Sequence, residues 1–231
     1  PSGGFTMNWM PPCEAAGWSG DIVYYLTKSG YRGDALHRAA QWLMKSQRPD
    51  GGWMTSPIRS TKDALVLALF HHVPAQTEDD FTAQSSLLST IACARALSLY
   101  GKIHGGTARA TDLAGDFILG KGFLSHPIQT GGEIYLSNRH FHSLGFPILC
   151  QHDILSALLF LGEENRLSDD RASAAFNLIM KKRLPDGTFP CESRESGTLH
   201  AKYRFRKSSP DKWVTLRALR LMKVLDDAQT T

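Results

Sequence analysis

The chain has 231 residues, 42% hydrophobic and 21% charged, with a formal net charge of +4. That is enough chain to bury a sizeable core in a single domain, and its composition is that of a folded soluble protein rather than a disordered one. The basic residues are too dispersed for a nucleic-acid interface, and no apolar run nears the roughly 20 residues of a membrane-spanning helix. Four cysteines without a C-x-x-C pair signal neither a disulfide framework nor a cysteine-only zinc site, so reduced thiols and a cytoplasmic location are expected.

In chain order, Pro1-Ser2-Gly3-Gly4-Phe5 lacks the basic and apolar regions of a secretion signal. It looks instead like the Gly-aromatic end of a preceding repeat, so the expected organisation is one domain over 1–231 that lacks an N-terminal repeat. The next phrase runs from Gly20 to Trp53. An Asp-led apolar segment, Asp21 to Leu26, precedes Tyr31-Arg32-Gly33-Asp34, then an Ala-rich stretch to Gln47, then Pro49-Asp50-Gly51-Gly52-Trp53.

Ala and Leu at three- and four-residue spacing predict helices over 61–72, 84–100 and 111–119. His71-His72 would close the first of these, where imidazolium meets the negative helix end. The stretch from Gly122 to Phe146 is rich in Gly and His and carries no helical period. From His152 the phrase returns in the same order: Asp153 to Leu159, Ser168-Asp169-Asp170-Arg171, Ala172 to Lys182, then Pro185-Asp186-Gly187-Thr188-Phe189. A last helix is predicted over 213–225, after the densest basic stretch, His200 to Lys212, which reads as a solvated loop, the alternative being a contact for an anionic ligand or pyrophosphate.

Helix starts are expected at Asp21, Asp34, Asp63, Asp153 and Ser168, because a short side-chain oxygen can accept from the free amides of the first turn. Asp-Gly steps tolerate positive φ and so end helices. The fold class is therefore all-α, with about eight helices in antiparallel hairpin repeats and no strand pair.

Gln47-Arg48-Pro49-Asp50-Gly51-Gly52-Trp53 resembles the glutamine-to-tryptophan turn of squalene and oxidosqualene cyclases, and Leu144-Gly145-Phe146-Pro147 followed by Asp153 resembles repeats of bacterial relatives. The chain is thus similar to the terpenoid cyclase and protein prenyltransferase superfamily. That resemblance implies a complete or partial α/α toroid around a central apolar cavity. It makes Gln47, Gly51 and Trp53 structural, the Trp packing on a helix end and the Gln tying neighbouring repeats.

The chemistry of that superfamily is only partly represented. Cyclases that protonate an alkene use D-x-D-D, where burial beside other carboxylates keeps one acid protonated. The nearest acidic cluster here is Glu78-Asp79-Asp80, in a polar stretch suited to helix capping. Magnesium-dependent cyclases use D-D-x-x-D, and Asp169-Asp170-Arg171 lacks the third carboxylate.

Prenyltransferases hold zinc through Asp, Cys and His. Cys150, His152 and Asp153 supply those ligand types in a different order, with His140, His142 and Cys191 as further donors. The competing reading is a buried thiol followed by a helix cap, and a Cys-His nucleophilic pair would lack an orienting group. Tyr24, Tyr25, Trp42, Phe146, Phe160 and Phe176 are candidates to line an isoprenoid cavity or to fill the core.

Three functions follow as expectations. The first is a cyclase- or prenyltransferase-like protein with a small apolar or isoprenoid-like ligand, and with zinc as its metal if any is held. The second is a non-catalytic helical-repeat domain for a peptide, lipid or protein. The third is a carbohydrate-active toroid with paired carboxylates.

Overall fold

The computed structural model describes residues 3–7, 13–55, 65, 69, 85–120, 141–148, 152–193 and 208–229. The chain divides into two compact units, Pro1–Lys121 with Gln129–Tyr135, and Gly122–Ile128 with Leu136–Thr231. Both are mostly helical. None of the described helices is long and apolar enough to cross a membrane.

The first unit contains α1 (Ala16–Lys28), α2 (Asp34–Lys45), α3 (Leu87–His104) and α4 (Ala108–Gly120). A short antiparallel ladder, β1 (Thr6–Met7) with β2 (Cys13–Glu14), precedes them. The second unit contains α5 (Ile154–Glu163), α6 (Asp170–Met180) and α7 (Lys212–Gln229), with a second ladder of β3 (Pro190–Cys191) and β4 (Ser209–Pro210). The expectation of no strand pair is corrected by these two-residue ladders. Each is a backbone clasp beside a helix start, too short to leave a period in the sequence.

Helix α2 shows why the pattern was readable. It buries Leu36, Ala39, Ala40 and Leu43 at the spacing of one helical face. Helices α3 and α5 differ, being enclosed on nearly every side; all of α5 from Ile154 to Gly162 is buried. A helix apolar all round belongs in the middle of a core, and each enclosed Leu or Ile there contributes about 1.5–3 kcal/mol relative to exposure.

Helix α1 packs most extensively on α3. A Cβ on Gly17 would meet Ser89, and one on Gly20 would lie 2.8 Å from the backbone of Ala92 and Cys93. Further along, the Arg95 guanidinium sits 4.4 Å from the centre of the Tyr24 ring. The register rises together on both helices, so they run parallel. In the second unit Asp153 on α5 meets Arg217 on α7, and Gly162 faces Val224. There too the two helices are parallel.

Several helix starts differ from expectation. Asp21 lies inside α1, which begins five residues earlier because the Ala15 amide is held by the Phe5 carbonyl at 3.3 Å. Gly33 caps α2 and Asp34 occupies its first turn, where a carboxylate still favours the positive helix end. Asp169, not Ser168, caps α6, its carboxylate taking both the amide and the guanidinium of Arg171. Those two bonds, with Arg171 and Arg166 nearby, hold Asp169 down to about 2. Of the helix expected over 61–72, Leu65 and Leu69 are described, both helical and exposed. Asp63, His71, His72, Glu78, Asp79 and Asp80 lie outside the described residues, as does most of the basic stretch from His200.

Candidate functional site

A buried polar cluster lies where α5 begins. Asp153 caps α5 and is 3% exposed. Its Oδ1 accepts from the Ser156 amide at 2.9 Å, the Ser156 hydroxyl at 2.9 Å and Arg217 Nη2 at 2.6 Å. Its Oδ2 accepts from Arg217 Nη1 at 2.9 Å and from the Gly145 amide at 3.3 Å. Arg217 also donates to the Gly145 carbonyl at 2.7 Å and to the Ser156 hydroxyl at 2.8 Å. A single carboxylate thus joins α5, α7 and the loop at 141–148.

The electrostatics follow from this packing. Desolvation pushes the Asp153 carboxyl upward, but the Arg217 charge, with the bonds from Arg217 and Ser156, outweighs it and holds the group below its ordinary range. Asp153 is therefore a fixed anion with both oxygens committed. A metal ion there would have to displace Arg217.

The other expected ligands are only partly placed. His152 is buried beside Asp153, and His142 packs its ring against Phe141. Cys191 is a free, buried thiol donating to the Ser193 carbonyl at 3.2 Å. Burial raises its pKa, with Asp211 and Asp153 adding to the effect, so it is a neutral thiol and a poor nucleophile at neutral pH. Cys150 and His140 lie outside the described residues. Glu192, next to Cys191, pairs with Lys182 at 2.6 Å and accepts the Leu144 amide at 2.9 Å. Among the described residues no group of three or more His, Cys, Asp or Glu is placed to hold a metal ion.

The turn at Gln47 to Trp53 is built from local chemistry. Gln47 donates through Nε2 to the carbonyls of Gly51 and Ala110, both at 2.9 Å, tying the turn to the first turn of α4. Gly51 has φ +86°, and a Cβ there would sit 2.3 Å from the Leu113 carbonyl oxygen. Trp53 is fully enclosed and donates from its indole to the Leu43 carbonyl at 2.8 Å. Asp50 accepts from the Gly52 amide and from the Ser85 hydroxyl and amide.

A regularity that sequence reading missed links three turns. The Trp53 amide donates to the Thr90 hydroxyl at 3.0 Å, and the Trp53 carbonyl accepts from the amide of Ser86, which caps α3. Phe189 makes the same pair of bonds with the Thr215 hydroxyl and the Asp211 amide, and Phe5 makes it with the Ser19 hydroxyl and the Ala15 amide. In each case a glycine with positive φ stands two residues before the aromatic: Gly3, Gly51 and Gly187. The hydroxyl residue stands four after the residue preceding the helix. The signal was present as Ala15/Ser19, Ser86/Thr90 and Asp211/Thr215, but the intervening chain differs in length each time and hides it.

The aromatic candidates divide between core and surface. Phe160 is enclosed, Tyr24 is buried under Arg95, Tyr25 is exposed, and Phe176 is half-buried. Trp42 lies against Gly3 and Gly4, and Phe146 stacks on Trp213 with ring centres 5.3 Å apart. Compared with family models, curated proteins and solved structures, the chain matches none.

Proposed function

We propose that the chain is a hairpin-repeat protein of the α/α-toroid kind, related to terpenoid cyclases and protein prenyltransferases, that holds a small apolar or isoprenoid-like molecule against its parallel helices. One observation carries this reading: the same aromatic-turn bonding recurs at Phe5, Trp53 and Phe189, each time launching a helix that lies parallel to another in its own unit. Recurrent units of this type bury a continuous core between neighbours and leave one helix face for a ligand. The exposed Trp18 and Tyr25 on α1 give such a face its aromatic surface. A cytoplasmic location goes with the reading.

The second reading, a non-catalytic binding domain, is favoured by the commitment of Asp153 to Arg217 and of Asp50 to Ser85. These carboxylates serve the scaffold rather than a reacting atom. Native mass spectrometry with farnesyl diphosphate, geranylgeraniol and squalene, followed by product analysis, tests both. A retained isoprenoid that is converted supports the enzyme reading, and one that is retained unchanged supports the binding reading. Retention of none overturns the proposed ligand class.

A further inference from the structure

We propose that His37 and His104 form a site for a divalent transition-metal ion of the zinc or nickel class, other than the donors Cys150, His152 and Asp153 expected from the sequence. His37 projects from the second turn of α2, and His104 is the last residue of α3. Their ring centres are 4.9 Å apart. Two imidazoles sharing one tetrahedral ion at metal–nitrogen distances of about 2.0–2.1 Å have ring centres about 5 Å apart, a separation this pair matches; the two rings meet edge to face at 83°, and His104 also packs on the Tyr100 ring at 4.6 Å. Because His104 is exposed, its ring can turn to bring a nitrogen toward the shared position.

Tyr100, one helical turn before His104, supplies the outer partner. Its hydroxyl lies 2.7 Å from His37 Nδ1. A histidine that binds a metal characteristically hydrogen-bonds through its other nitrogen, which sets the tautomer and aims the ring. In the tautomer whose Nδ1–H donates to the phenolic oxygen, the lone pair of His37 is on Nε2.

The charges around the pair are compatible with a cation. Arg32 opposes a metal ion, but His104 sits at the negative end of α3, which favours one. With two protein ligands, water completes the coordination, and the ion exchanges rather than being locked in.

Neither residue could be paired from the sequence, since 67 positions separate them and each stands alone in its helix. Only the antiparallel packing of α2 against α3 joins them.

The test is isothermal titration of the full chain, first stripped with a chelator, with zinc chloride and separately with nickel chloride. One saturable ion per chain is expected, with affinity falling as pH drops through the imidazole range because a protonated ring cannot coordinate. His104→Ala, at an exposed helix end, should fold, as circular dichroism would check, and should abolish this binding, whereas His152→Asn should retain it. Tyr100→Phe should weaken binding by about 10- to 100-fold, as loss of an outer partner does. Absence of saturable binding, or unchanged affinity in His104→Ala, overturns the proposal.

Discussion

At the residue scale, Asp153 shows how one side chain can hold two meanings. Its place before an apolar segment marked it as a helix cap, and its neighbours Cys150 and His152 marked it as a metal ligand. The cap is visible in the bonds to Ser156. Its deciding partner is Arg217, 64 residues away, which no local pattern announces. Asp153→Asn keeps a capping oxygen but leaves Arg217 largely buried without its counter-charge. We expect a loss of about 3–5 kcal/mol by urea denaturation. The pH dependence has a definite sign. A carboxyl whose folded pKa lies below its ordinary 3.8 contributes stability above that value and loses it as pH falls through the folded pKa. Native protein should therefore lose this increment only in strong acid, below the ordinary carboxylate range. Asp153→Asn should show no such step.

At the element scale, glycines on α1 set the spacing between helices, whereas those in turns set chain direction. A methyl at Gly20 would press on the α3 backbone at 2.8 Å, which no side-chain rotation can relieve. Gly30, by contrast, has φ +82° with nothing within 4 Å, so only backbone strain opposes substitution there. Gly30→Ala should lower stability by about 1–2 kcal/mol through that strain. Gly20→Ala should lower it by about 1–3 kcal/mol through overpacking. Their separate mechanism is read from amide exchange at Ala92 and Cys93, which Gly20→Ala should accelerate and Gly30→Ala should leave alone. Equal acceleration by both would show that α1 does not approach α3 as described.

At the scale of the whole molecule, each compact unit has one enclosed helix among its described residues, α3 in the first and α5 in the second. The most protected amides belong where opening exposes the most buried apolar surface. Hydrogen exchange should accordingly be slowest in α3 and α5, and faster on the outward side of α7, where Trp213, Leu216 and Leu219 are exposed. Uniform protection across α3 and α7 would contradict the burial that distinguishes them.

The sequence by itself determined what short-range chemistry controls: a mostly helical chain, the amphipathic face of α2, and the turns at Gly51 and Gly187. Helical period and glycine's tolerance of positive φ act within a few residues, so they can be read there. Only the tertiary structure decided which polar groups meet. Thr90 reaches Trp53, Gln47 reaches Ala110, and Arg217 reaches Asp153, across separations of 37, 63 and 64 residues. The physical reason is that a buried polar group must find a partner wherever the packing of helices brings one, and packing is a property of faces rather than of neighbours in the chain.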